Sequence, residues 1–366
     1  MSKVGPRHVD IQLTSKCNLD CIYCSHRKSI SEHYDNLSLS TWQKIFTKLQ
    51  AIKVLSVTLS GGEPTLREDF LEIIESVVKS KMRYSLLSNG FGLSEPVVVR
   101  MKQLGRVNTV QISLDSNCAK EHDANRGKGS FDKAIEAILR LQKYEVPVTV
   151  RVTLTKNNFY KIKEIAQFIL KELKIDTMTT NEASYFGKCQ ANFSQFHFTG
   201  SERSQMMQDL IDLEREFSGR ITATAGPHAD AHKLMKIAQV ESGKVGYKEY
   251  FEGCRVLSGC GCFTKSLSLC SDGKITLCQM LPSVVLGNIL EDDILKVWNC
   301  NSTLEQMRKR HRISLDEFSE CKVCCFQKYC TGDCLAVGYN ETKCLERPSR
   351  VNCLKELMKL GVKTPV

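Results

Sequence analysis

Cys17-Asn18-Leu19-Asp20-Cys21-Ile22-Tyr23-Cys24 comes directly after a short β-forming run, His8-Val9-Asp10-Ile11-Gln12-Leu13-Thr14. The cysteines make a CxxxCxxC triplet at the end of what the pattern predicts to be a strand. Three closely spaced thiolates can hold three irons of a [4Fe–4S] cluster and leave the fourth iron without a protein ligand. An open iron can bind and reduce a further group. Taken alone, the triplet also suits another metal such as zinc.

The chain has 366 residues, 42% of them hydrophobic, which is ample for a packed core and for two or three domains. Eighteen cysteines is far above ordinary usage. In a small secreted chain they would suggest disulfides. Here the chain is long, and Met1-Ser2-Lys3-Val4-Gly5-Pro6-Arg7 has no apolar signal region. No apolar run approaches the roughly 20 residues of a membrane span. The expectation is a cytoplasmic protein with metal thiolates and no membrane partner. The formal charge of +10, from 51 basic and 41 acidic residues, favours acidic partners. No aromatic–basic motif points to nucleic acid.

Outward from the triplet, residues 8–180 alternate strand-like and helix-like segments, the pattern of a parallel α/β domain. Strands are expected at 8–14, 54–60, 83–88, 107–114, 147–154 and 175–180. A helix is expected from Leu39 to Ile52 behind Ser38, and another from Asp69 to Lys79 with Phe70, Leu71, Ile73, Ile74 and Val77 at helical spacing. Ser130 is expected to cap a third. Residues 181–200 read as a loop, Ser201 to Phe217 as a helix, and 220–253 show no clear pattern. The expected domains are 8–225 and 254–366, with a bridge at 226–253.

Polar motifs fall at the expected strand ends, where barrel enzymes place their chemistry. Gly61-Gly62-Glu63-Pro64 follows the second strand, and Asn89-Gly90 the third. Asp115 ends the fourth, and Arg151 and Asn157 bracket the end of the fifth. The glycines allow close backbone approach to a ligand, and the glutamate suits an ammonium group. Each motif alone also has a plain reading as a turn or a surface salt bridge.

Together, the triplet and the Gly61–Pro64 segment resemble the signatures of the radical S-adenosylmethionine (radical SAM) family. The resemblance implies an α/β fold with a partial (β/α)6 TIM-like barrel. It implies that the open iron held by Cys17, Cys21 and Cys24 chelates the amino and carboxylate groups of S-adenosylmethionine. Gly61, Gly62, Glu63, Pro64 and Asn89 would then bind that cofactor, with Glu63 at its amino group. Ser113, Arg126 and Arg151 would meet its ribose or carboxylate end. The implied reaction is reductive cleavage to a 5′-deoxyadenosyl radical, which takes hydrogen from an unreactive C–H bond. The electron would come from a reductant such as flavodoxin or ferredoxin.

Thirteen of the cysteines lie from Cys254 onward. Cys254-x5-Cys260, Gly273-x4-Cys278, Cys321-x2-Cys324-x5-Cys330-x3-Cys334 and a distant Cys353 resemble the SPASM domain, a small cysteine-rich α+β extension of some radical SAM enzymes. The resemblance implies two auxiliary [4Fe–4S] clusters, three in all. One would use Cys254, Cys260, Cys278 and Cys334, the other Cys321, Cys324, Cys330 and Cys353. Cys262, Cys325 and Cys344 compete with Cys260, Cys324 and Cys353. Two all-cysteine zinc sites would need the same number of ligands. Cys118, Cys189, Cys270 and Cys300 are expected to be buried thiols.

SPASM proteins mostly modify peptides. The expected substrate is therefore a ribosomally made precursor peptide that receives a crosslink, an oxidation or a backbone change. A separate leader-recognition protein is expected, because the chain begins almost directly at the first strand. Sulfatase maturases generally carry an aspartate after the cysteine matching Cys278, and here that position is Gln279. A small-molecule dehydrogenase and a non-enzymatic iron–sulfur scaffold or electron carrier are the other readings. No catalytic acid or base is assigned among Asp115, His122, Asp123, Tyr185, Gln279 and Tyr339.

Overall fold

A computed structural model describes residues 5–25, 37–183, 186–223, 226–258, 261–350 and 353–359. Cys260 and Tyr185 lie outside the described residues. Strands β1 (His8–Thr14), β2 (Ser56–Gly61), β3 (Arg83–Ser88), β4 (Val107–Ser113), β5 (Val148–Leu154) and β6 (Met178–Glu182) are parallel and adjacent in chain order. Between them run α1 (Leu39–Ala51), α2 (Phe70–Lys79), α3 (Glu95–Leu104), α4 (Ala119–Arg126), α5 (Ser130–Lys143) and α6 (Ile162–Gln167). This is the expected partial (β/α)6 barrel.

The helices form because their apolar residues recur on one face. In α1, Trp42, Ile45, Phe46 and Leu49 are buried, and Ser38 accepts from the Thr41 amide. Ser130 is the first residue of α5 rather than its cap. The preceding Gly129 takes a left-handed φ of 77°. The Asp123 side chain accepts from the amides of Gly129 at 2.6 Å and Phe131 at 2.9 Å, so a carboxylate from α4 meets the donors at the start of α5. The sixth strand begins at Met178, later than the sequence suggested, because Lys174 turns the chain at φ 53° and Ile175 is core before pairing starts.

Two short helices, α7 (Gly187–Ala191) and α8 (Phe193–Phe196), occupy the segment expected to be a loop. Helix α9 (Gly200–Glu216) opens with a capping box between Thr199 and Glu202. A seventh parallel strand, β7 (Ile221–Thr222), pairs with β6. The segment without a sequence pattern forms α10 (Pro227–Glu241) and α11 (Tyr247–Phe251). Its pattern was hidden because His228 and Asp230 are buried beside Ala231, Leu234 and Ile237, so polarity does not mark the solvent face.

Among the described residues, the C-terminal strands extend the barrel sheet. Strand β8 (Ser266–Leu269) adds in parallel to the free edge of β1, with His8 opposite Ser266 and Ile11 opposite Leu269. Strands β9 (Lys274–Thr276) and β10 (Val285–Asn288) follow antiparallel and complete a ten-stranded sheet. Helices α12 (Ile294–Cys300), α13 (Ser302–Lys309), α14 (Ser319–Lys322), α15 (Leu335–Thr342) and α16 (Leu354–Lys359) follow, with most of the remaining cysteines in the turns between them. One contiguous apolar core runs from β1 to α16. Cys189 is buried as expected, but Cys300 is exposed at the end of α12. Among the described residues, no helix is long and apolar enough to cross a membrane.

Candidate active site at the carboxyl ends of the strands

The loop after β1 is held from three sides. The Gly62 amide donates to Thr14 O at 2.7 Å and the Glu63 amide to Lys16 O at 2.8 Å. The Ile22 amide donates to Asn125 O at 3.0 Å, and the Lys188 amide to Cys24 O at 2.9 Å. Gly61 has φ 137°, and a Cβ there would meet Thr14 O at 2.3 Å. A Cβ on Gly62 would meet Lys16 O at 2.0 Å. The two glycines are therefore required where the β2 loop lies against the cysteine loop. Cys17, Cys21 and Cys24 are partly exposed around this loop. Burial pushes the Cys21 thiol up to about 11 against the pull of Arg126, and Cys24 and Cys17 are near enough to add to the rise. Metal coordination removes such a proton outright, so a three-thiol loop of this kind fits a bound cluster.

Glu63 is buried and turned towards β3. Its Oε1 accepts from the Thr65 hydroxyl at 2.6 Å and the Ser88 hydroxyl at 2.8 Å, and Oε2 accepts from the Asn89 amide at 2.7 Å. Burial raises its pKa, and the hydrogen bonds from Asn89, Thr65 and Ser88 oppose the rise. Pro64 begins the short turn after it. Asn89 Nδ2 donates to Asn18 Oδ1 at 2.9 Å and lies 4.0 Å from Cys17 Sγ. The ends of β2 and β3 and the cysteine loop thus form one hydrogen-bonded unit.

Arg126 is engaged by the strand-end carboxylate of Asp115, to which the sequence assigned no specific role. Its Nε donates to Asp115 Oδ2 at 2.7 Å and its Nη2 to Asp115 Oδ1 at 3.2 Å, both side chains being buried. The Tyr23 hydroxyl donates to the same carboxylate, and the guanidinium lies 5.4 Å from the centre of the Tyr23 ring. Burial opposes ionisation of Asp115, but the Arg126 charge and hydrogen bonds outweigh it and hold its pKa below the usual range. Asp115 also accepts from the Thr153 amide at 2.9 Å, and its own amide donates to His122 Nδ1 at 3.0 Å. The network fixes Tyr23, which stands between Cys21 and Cys24, to β4 and β5.

Ser113 and Arg151 stand opposite each other at the ends of β4 and β5. Both are half-buried, and burial and then Arg126 lower the Arg151 pKa. Asn157 Nδ2 donates to Asn125 Oδ1 at 3.0 Å. Gln279 reaches Ser60 at the end of β2, its Nε2 donating to Ser60 Oγ at 2.7 Å, and so carries the turn after Cys278 into the barrel.

Four of the C-terminal cysteines lie close to one another. Burial raises the Cys321 thiol, and Cys353 and Cys324 add to it. Cys353 likewise acts on Cys330. Cys321, Cys324, Cys330 and Cys353 are therefore neighbours. Cys254, Cys278 and Cys334 pack partly buried against the core, and Cys262 is buried within it. Arg310 is fully buried here, donating to the carbonyls of Leu345 at 3.0 Å and Arg347 at 3.1 Å. Its near neighbours include Cys262, Cys334 and Cys344. A buried cation bonded to neutral carbonyls suits an anionic centre beside it, and this thiol-rich region fits iron–sulfur ligation. Among the described residues, no three His, Cys, Asp or Glu side chains converge as a single metal ion would require.

A parallel partial barrel with a three-thiol loop at its mouth and a thiol-rich extension on its edge defines an iron–sulfur enzyme. The chain matches the radical SAM superfamily over residues 11–169 and SPASM, an iron–sulfur cluster-binding domain, over residues 260–325. It belongs to the radical SAM enzymes that carry a SPASM domain and uses iron–sulfur and S-adenosylmethionine chemistry. It is 25% identical to the AdoMet-dependent heme synthase of Methanosarcina barkeri over 94% of this chain and 98% of that one. It is 26% identical to the mycofactocin maturase MftC of Mycobacterium tuberculosis over 90% of this chain and 78% of that one. In fold it resembles Streptococcus suis SuiB bound to precursor peptide SuiA, with a TM-score of 0.70, 20% identity, and coverage of 95% of this chain and 76% of that one.

Proposed function

We propose that this enzyme installs a post-translational modification (a crosslink, an oxidation or a backbone change) in a ribosomally made peptide. The observation that carries this reading is the likeness to the maturase MftC across both the barrel and the SPASM region. When bound, the N-terminal cluster and S-adenosylmethionine would supply a 5′-deoxyadenosyl radical able to take hydrogen from a peptide C–H bond.

In this reading Cys17, Cys21 and Cys24 hold that cluster. Gly61 and Gly62 keep the β2 loop against it, and Pro64 turns the chain away. Glu63, whose Oε2 accepts the Asn89 amide, retains acceptor capacity for an ammonium group. Asn89 orients the Cys17 side of the loop. Ser113 and Arg151 offer a hydroxyl and a cation to the ribose or carboxylate end. Arg126 has two donors committed to Asp115, so its part is to position Tyr23 and the cysteine loop rather than to bind the cofactor. Cys254, Cys260, Cys278 and Cys334 would hold one auxiliary cluster and Cys321, Cys324, Cys330 and Cys353 the other. The neighbourhood of Cys353 with Cys321 and Cys330 supports it over Cys344. The partners in this reading are a precursor peptide, a separate leader-recognition protein and a flavodoxin- or ferredoxin-like reductant.

Iron and sulfide analysis of anaerobically reconstituted protein is expected to give about twelve irons per chain, four for each cluster. Replacing Cys17, Cys21 and Cys24 with alanine should leave about eight and abolish 5′-deoxyadenosine formation. Cleavage of S-adenosylmethionine by that variant would sink the initiation site. The near full-length match to a heme synthase favours a second reading, a tetrapyrrole substrate. Turnover with candidate precursor peptides and with iron porphyrins, followed by mass spectrometry, separates the two. A modified porphyrin with unmodified peptides would replace the peptide reading.

A further inference from the structure

Helix α10 places a charged group beside the cysteine-rich region. Lys233 Nζ lies 3.6 Å from Asp333 Oδ1, and both side chains are largely buried. Asp333 sits between Cys330 and Cys334 in a left-handed turn with φ 57°, after Gly332 at φ 79°. The segment following Cys254 runs against this turn, with the Arg255 amide donating to Cys330 O at 2.9 Å and the Ser258 amide to Thr331 O at 2.9 Å. Cys254, Cys330 and Cys334, which come from both proposed auxiliary sets, therefore meet around one pair of backbone segments. The helix is anchored there. Tyr329 Oη donates to Glu241 Oε1 at 3.2 Å, and the Tyr329 ring packs edge-on against Phe251 of α11 at 4.8 Å.

We propose that Lys233 is a positioning residue for charge at both auxiliary thiolate centres, its ammonium favouring their reduced, more negative state. The proposal rests on the two-auxiliary-cluster reading given above. Reduction adds one negative charge to a centre, and a cation held nearby at low dielectric attracts that charge more strongly than it would across water. Net local charge is one of the factors that set iron–sulfur potentials. Asp333, which Lys233 faces, stands in the turn between Cys330 of one set and Cys334 of the other. Burial works against the ammonium, and the Asp333 carboxylate 3.6 Å away offsets that cost. Asp230, one turn earlier on α10, has Oδ2 buried without a hydrogen-bond partner among the described residues. Burial and then Asp333 drive it towards the neutral acid, so it leaves the Lys233 charge standing.

Potentiometric titration of the reconstituted holoenzyme, followed by electron paramagnetic resonance, tests this. The auxiliary signals are those that survive replacement of Cys17, Cys21 and Cys24 by alanine. Lys233→Met is expected to move them to more negative potential by at least a tenfold change in the one-electron equilibrium, about 59 mV. Lys233→Arg is expected to stay near the wild type. Unchanged auxiliary potentials in Lys233→Met, or an equal shift in Lys233→Arg, overturn the proposal. If Lys233→Met does not load its clusters, Asp333→Asn keeps the ammonium, removes its counter-charge and should move the same signals the other way. No shift in that variant also overturns it. A wild-type count of about four irons, with zinc in the rest, would instead defeat the auxiliary clusters themselves.

Discussion

His122 accepts the Asp115 amide through Nδ1, so its proton sits on Nε2, which is buried without a partner among the described residues. Burial lowers its pKa from the ordinary value of about 6.5 to about 4, against the pull of Asp115. The unfolded chain therefore binds the proton more readily than the folded one. Stability is full above about pH 6.5 and is lost as pH falls towards 4, by about 3 kcal/mol from this group. The thermal midpoint is expected to drop between pH 7.5 and 5.5 by less in His122→Asn, whose side-chain oxygen can still accept the amide. Equal drops in both proteins would contradict the assignment. The same few residues show what site chemistry requires locally. Arg126 looks from sequence like a free cation for a ligand, yet Asp115, eleven residues earlier, takes two of its donors.

Helices α9 and α10 carry the segment that turns the barrel towards the cysteine-rich region. Leu234 on α10 is fully buried, and Leu234→Ala is expected to cost about 2–5 kcal/mol. Thr199→Ala, which removes the exposed cap of α9, is expected to cost only about 1 kcal/mol. Denaturant titration of the two variants under anaerobic conditions should preserve that order. A reversal would show that α10 is not held by its apolar face. The difference follows from the cavity left by a buried leucine, which a solvent-facing cap does not leave.

At the scale of the whole molecule, β8 closes the edge of β1 with Leu267 and Leu269 in the core. Lys48 on α1 also donates to Ile289 O at 2.8 Å. The barrel and the cysteine-rich region thus share a sheet and a core. A chain ending at residue 253 would expose the β1 edge and its apolar neighbours, an invitation to aggregation. Such a truncation is expected to elute as aggregate and to be digested by low protease, whereas a stable monomer would mean that the barrel stands alone.

The sequence by itself determined the six strands of the partial barrel, because alternation and helical spacing are local properties of side chains. It also determined the three-thiol loop and the order of motifs at successive strand ends, since Gly61, Gly62 and the cysteines are specified by type and spacing. The tertiary structure alone decided that Gly61 and Gly62 lie against Thr14 and Lys16, that Arg126 belongs to Asp115, and that Lys233 faces Asp333. Those contacts join residues distant in the chain, and nothing local marks them. It alone also placed α10, whose buried histidine and aspartate erase the polar pattern, and β8, whose four residues gain their meaning only on the edge of β1. Periodicity records which face of an element meets the core. Which distant element supplies that core, and which charge answers another, is settled only when the chain has folded.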